Sequence, residues 1–262
     1  MSLALKLALS PLLVAQALRT RARVTRLPEA AGPREGVHGQ GASCLRLLLA
    51  GDSSAAGVGV ATQSDALAGQ LMPLLVEHCA VQLHWMLCAR TGLTTAQTLQ
   101  VLQTTELPVF DLAVVVTGVN DVVDQVGSLR ATRAREAIAN LLRNRVGVQH
   151  VVFCPLPPIH QFPALPQPLR WMAGADAQRH NRVMREWAAQ RIARCADVST
   201  LELGHVRLSR HNMASDGFHP GMPVYRAVAE ALAQHIAQHV MPLLRLDAGR
   251  QRGEPSWPPK EH

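Results

Sequence analysis

Residues 45–57 read Leu45-Arg46-Leu47-Leu48-Leu49-Ala50-Gly51-Asp52-Ser53-Ser54-Ala55-Ala56-Gly57. A short, nearly continuous apolar run closed by glycine is the pattern of a strand buried on both faces, as in a parallel sheet. The theme repeats outward from it. Leu67, Leu71, Leu74 and Leu75 give one apolar face to a helix over 64–78. A strand over Val81–Cys88 and a helix over 94–104 follow. Asp111–Thr117 is β-branched, bounded by Gly118, and the clearest strand of all. Beyond it come a helix over 130–145, a strand at His150–Cys154 stopped by Pro155, and a helix over 175–195. A short edge-like strand at Asp197–Leu201 and a helix over 222–240 close the series. Five strands alternating with helices predict an α/β fold, a three-layer α/β/α sandwich around a central parallel sheet. In such sheets function gathers at the carboxyl ends of the strands.

A chain of 262 residues holds one large domain and is tight for two. Hydrophobic residues make up 48% and charged ones 17%, which supplies a core and excludes disorder throughout. Aromatics are only 3%, against a stacking platform for single-stranded nucleic acid. The net charge of +7 would suggest a polyanionic partner, but its location matters more than its size. Residues 1–46 carry seven Lys/Arg against Glu29 and Glu35, so five of the seven net charges lie there. The remaining body is nearly balanced, and no nucleic-acid partner is expected. The five cysteines (Cys44, Cys79, Cys88, Cys154, Cys195) form no CxxC pair and lie in or beside apolar runs. They are expected as buried free thiols.

Three readings fit the apolar stretch 3–18, which Lys6 and Pro11 interrupt. It is short for a spanning helix. Ala15-Gln16-Ala17 resembles a cleavage site, which makes 1–17 a signal peptide and the protein exported. Arg19, Arg21, Arg23 and Arg26 follow at once and resist translocation. A helix lying on an anionic membrane face through residues 3–26 is the second reading. A helix packed on the domain is the third. The last two make the protein membrane-associated or cytoplasmic. Residues 28–43 are rich in Gly and Pro and are expected as a linker or surface strap. The organisation is thus a segment over 1–43, an α/β domain over 44–241 and a tail over 242–262.

Three short segments fall where a parallel sheet places its site. They are Gly51-Asp52-Ser53, Gly118-Val119-Asn120-Asp121, and Asp216-Gly217-Phe218-His219-Pro220. A glycine after the second strand, Gly92 in Arg90-Thr91-Gly92-Leu93, adds a fourth. Together and in this order they resemble the four blocks of the SGNH/GDSL hydrolase family of serine esterases and lipases, over about residues 45–240. Ser54 stands where the family motif has Leu. The resemblance implies a flavodoxin-like order of about five strands and ester hydrolysis through an acyl-enzyme, without cofactor or metal. It implies Ser53 as nucleophile, and an oxyanion hole of the Ser53 and Gly92 backbone N–H groups with the Asn120 amide.

The chemistry of the residues points the same way. A serine hydroxyl is a weak nucleophile and needs a base, itself oriented by a third group. Ser53 lies in a tight turn between Gly51 and Gly57, His219 is the candidate base, and Asp216 stands three residues before it. Asp52 is read as structural, with Ser54 a minor alternative nucleophile. Asp121 is read as a helix cap or loop anchor. His235 and His239 are four apart but lack a further ligand, and are expected on a solvated helix face. Arg130, Arg133, Arg135, Arg143 and Arg145 are likewise expected on a solvated face.

The stretch 155–174 holds six prolines and is expected to be stiff and non-helical. Ile159, Phe162, Leu165 and Trp171 line a substrate pocket or lid in one reading, and pack the loop on the body in the other. The expected substrate is a small-molecule or lipid-like ester. Thioesterase, lysophospholipase, carbohydrate deacetylase and a non-catalytic binding module are the alternatives.

Overall fold

A computed structural model describes residues 3–203 and 207–246, with side chains from residue 9 onward. The chain opens with helix α1 (Leu3–Arg23) and runs through β1 (Glu35–His38), β2 (Ser43–Gly51), α2 (Leu67–Cys79) and β3 (Val81–Ala89). It continues through α3 (Thr95–Thr104), β4 (Leu112–Val116), α4 (Val119–Val123), α5 (Ser128–Leu141) and β5 (His150–Phe153). The last elements are α6 (Leu169–Cys195), β6 (Val198–Thr200) and α7 (Met222–His235).

The strands lie in one sheet in the order β1-β3-β2-β4-β5-β6. All neighbours are parallel except β1, which pairs antiparallel with β3. The central strand β2 shows why its sequence is apolar on both faces. Leu45, Leu47 and Leu49 pack toward α2 and α7, in one core. Leu48 and Ala50 pack toward α3, α5 and α6, in the other. Three layers follow directly, as expected. A third apolar cluster lies under the 155–165 loop, at the carboxyl end of the sheet.

The differences from expectation have local causes. Residues 28–43 are not a free linker, because Glu35–His38 add a sixth strand and residues 30 and 31 hydrogen bond to Ala56 and Ala61. The helix expected from 175 begins at Leu169, so the last residues of the proline-rich stretch are helical after all. Gln16 of α1 explains the earlier start. Its side-chain oxygen accepts from the Leu169 N–H at 3.1 Å and its amide donates to the Gln167 carbonyl at 2.7 Å. That is helix capping from 153 residues away in sequence.

The basic α5 segment is not a solvated face throughout. Arg135 is fully buried, 3.9 Å from the buried Asp121 carboxylate. Arg143 pairs with Asp197 at 3.2 Å, and Arg145 donates to carbonyls at the end of α3. His235 also has a partner: a Ser199 hydroxyl 2.9 Å away, itself 2.9 Å from His150. Of the five thiols expected to be buried only Cys154 is; Cys44, Cys79 and Cys88 are half-buried and Cys195 is exposed. Of the expected tail 242–262, residues 247–262 lie outside the described residues.

Candidate active site

Strand β2 delivers Ser53 at its carboxyl end. The chain then turns tightly, with Ala56 N–H donating to Asp52 O and Val58 N–H to Ser53 O, both at 3.0 Å. The Asp52 carboxylate accepts the Ser54 N–H at 3.0 Å and so braces the turn. Gly59 lets the next loop come close, since a Cβ there would approach the Pro220 carbonyl to 2.2 Å. That approach brings the 214–220 loop, just before α7, over the Ser53 turn.

The result is a hydrogen-bonded chain across 166 residues of sequence. His219 Nε2 lies 3.1 Å from Ser53 Oγ. His219 Nδ1 lies 2.6 Å from Asp216 Oδ2. The other Asp216 oxygen accepts the backbone N–H groups of Phe218 and His219 at 2.9 and 3.0 Å. Burial works to raise the Asp216 carboxyl, but these bonds from the His219 side chain and the two N–H groups outweigh it. The carboxyl is held below the usual carboxylate range. An ionised carboxylate only accepts, so the histidine proton sits on Nδ1 and Nε2 presents its lone pair to Ser53.

Asp52 behaves differently. Burial pushes its carboxyl up to about 7, although the Ser54 N–H and the nearby His219 pull the other way. The buried Cys154 thiol is pushed up to about 12 by burial and is no nucleophile at neutral pH.

Two further loops border Ser53. Gly92, at φ +85°, occupies a conformation that favours glycine, with open space where a Cβ would point. Asn120 begins α4 just past β4, and its amide donates to Leu93 O at 3.0 Å. Among the described residues, neither the Ser53 N–H nor the Gly92 N–H has an acceptor. Asp121 ties these loops together, accepting from both the N–H and the hydroxyl of Thr95. It is the loop anchor that one reading expected.

Sequence reasoning missed Glu29 and Arg34. One Glu29 oxygen accepts the N–H and the hydroxyl of Thr91, at 2.7 and 2.8 Å, next to Gly92. Arg34 holds the other Glu29 oxygen at 2.9 Å and also donates to the Ala89 carbonyl. Their partners are 55 to 62 residues away, and nothing local in a Gly/Pro-rich stretch signals the pairing.

Of the two readings of the 155–174 loop, packing on the body describes three of the four residues. Ile159, Phe162 and Leu165 are buried in the third apolar cluster, so their surface is committed to packing the loop. Phe162 meets Phe218 edge-on at 5.2 Å, and Phe218 in turn meets His219. Trp171 is half exposed on the first turn of α6. Cavities of about 230 and 600 Å³ lie elsewhere, one beside His180 and one between α6 and α7 along β6. Among the described residues no group of three or more His, Cys, Asp or Glu is placed to hold a metal ion.

Residues 49–227 match the GDSL-like lipase/acylhydrolase family. No curated protein matches the sequence. Among solved structures, the lipase Lip_vut3 from a goat rumen metagenome aligns with a TM-score of 0.58 at 16% identity, over 74% of this chain and 98% of its own. The family 3 carbohydrate esterase of Clostridium thermocellum gives 0.59 at 15% identity, over 79% and 100%. The acetylxylan esterase Axe2 of Geobacillus stearothermophilus gives 0.53 at 15%, over 76% and 95%. At these identities the likeness is one of fold.

Proposed function

The chain belongs to the GDSL-like lipase/acylhydrolase family and hydrolyses ester bonds, and from that premise we propose that Ser53 is its nucleophile in a two-step acyl-enzyme route. The observation that carries the reading is the Ser53–His219–Asp216 chain, at 3.1 and 2.6 Å. Both lengths are within hydrogen-bonding range, and proton transfer needs no rearrangement.

In the first step His219 Nε2 takes the Ser53 proton as Oγ attacks the ester carbonyl carbon. The carbonyl electron pair moves onto oxygen. The N–H groups of Ser53 and Gly92 and the Asn120 amide receive that oxyanion, and two of the three have no other acceptor. Protonated His219 then gives its proton to the departing alkoxide, leaving acyl-Ser53 and an alcohol. In the second step His219 deprotonates a water that attacks the acyl carbon, and Ser53 recovers its proton as the acid leaves. Asp216 accepts from Nδ1 throughout and stabilises the imidazolium.

Ser53→Ala should lower turnover of a p-nitrophenyl ester by about 10⁴-fold or more. Undiminished turnover would overturn the mechanism. His219→Ala should lower turnover of the same ester by about 10³-fold or more, and undiminished turnover would remove His219 from the base role.

A further inference from the structure

Large apolar side chains should be covered in a soluble domain, and here their exposure is concentrated. Among the described residues eleven are exposed. Three of them, Leu12 at 47%, Val14 at 57% and Leu18 at 64%, lie on α1. Its part-buried positions among residues 9–23 are Leu9, Ser10, Leu13, Gln16 and Thr20, along one side of the helix. The rest of its circumference is exposed, with Leu12, Val14, Leu18, Arg19, Arg21 and Arg23 spread around it.

Four more lie on short α4 or in the first turn of a later helix. In a parallel sheet the helices begin where the strands end. Val123 closes the short α4 behind Asn120, Leu129 opens α5, Trp171 opens α6, and Met222 opens α7 behind His219. Each is exposed, Leu129 by 67%. Helix α1 joins this same end of the molecule, since Gln16 bonds residues 167 and 169 just ahead of Trp171. Among the described residues no helix is long and apolar enough to cross a membrane. Apolar side chains interleaved with arginines are the composition of a surface that lies in the headgroup layer of anionic lipid.

We propose that α1, with Trp171 beside it, forms a docking face for an anionic lipid bilayer. Tryptophan at such a boundary and arginine beside anionic headgroups both fit their usual positions. Docking stands independently of the esterase reading above.

Sedimentation of the full chain with vesicles tests the docking directly. Vesicles of phosphatidylcholine mixed with phosphatidylglycerol should carry the protein down, and pure phosphatidylcholine should carry about tenfold less. Added salt should release it. Leu12→Asp with Leu18→Asp should cut the bound fraction about tenfold, and so should Arg19→Ala with Arg21→Ala and Arg23→Ala. The arginine variant leaves every packed position intact, so a folding defect in the aspartate variant would leave the test in place. Both should hydrolyse a soluble short-chain ester at the wild-type rate. Ser53→Ala should bind vesicles like the wild type, which separates docking from catalysis. Protein left in the supernatant with anionic vesicles, or variants that sediment like wild type, would overturn the proposal.

Discussion

Replacing Asp216 with Asn keeps the shape of the loop and removes the charge that holds the His219 tautomer. The expected result is a fall in kcat of about 10⁴-fold on a soluble ester, with KM little changed. If the proposed oxyanion hole holds, Asn120→Ala removes one of its donors and should cost about 10²–10³-fold in kcat. Asp52, one residue from Ser53, calls for a different measurement. Its carboxyl, raised by burial to about 7, stabilises the fold while it is protonated. That contribution is complete below about pH 4, the unfolded range, and is lost as pH rises through about 7. Asp52→Asn keeps an acceptor for the Ser54 N–H and cannot ionise. Its Tm advantage over wild type should therefore be larger at pH 8 than at pH 5, by at least about 2–4 °C. An equal difference at both pH values would show that Asp52 does not titrate in this range.

At the scale of elements, strands β2 to β6 and most helices were legible to within a few residues. Their apolar periodicity is a local property of the chain, and Gly51, Gly118 and Pro155 punctuate it. The four blocks were legible for the same reason, each being a strand end written into consecutive residues. The illegible parts depend on distant partners. The start of α6 depends on Gln16, and the burial of Arg135 on Asp121. The fate of Ile159, Phe162 and Leu165 depends on a cluster drawn from six segments of the chain. The strap over residues 29–34 belongs in this group as well. Burial favours the neutral Glu29 carboxyl, but the bonds from Thr91 and Arg34 prevail and keep it below the usual range. Glu29→Gln weakens the hold on the peptide that precedes Gly92. It should lower kcat about five- to twentyfold, the scale of one charge-assisted hydrogen bond, with a smaller change in KM. Glu29→Asp, which keeps the charge, should recover part of the loss. Unchanged kcat in Glu29→Gln would make the strap a structural tie alone.

On the scale of the whole molecule, the basicity that first suggests a polyanion is concentrated in the N-terminal segment. The family match begins at residue 49, so α1, β1 and the strap lie ahead of it. Yet α1 caps α6, β1 extends the sheet, and the strap grips the Gly92 loop. The segment is thus built into the catalytic end of the fold while its outer face stays apolar and basic.

The central claim is that Ser53 is the nucleophile of an ester hydrolase. A fluorophosphonate label followed by peptide mass spectrometry tests it most directly, because the reagent bonds covalently to a serine activated by its neighbours. The predicted result is a single adduct on Ser53, absent in Ser53→Ala and strongly slowed in His219→Ala. An adduct on another residue, or labelling undiminished in both variants, would contradict the account.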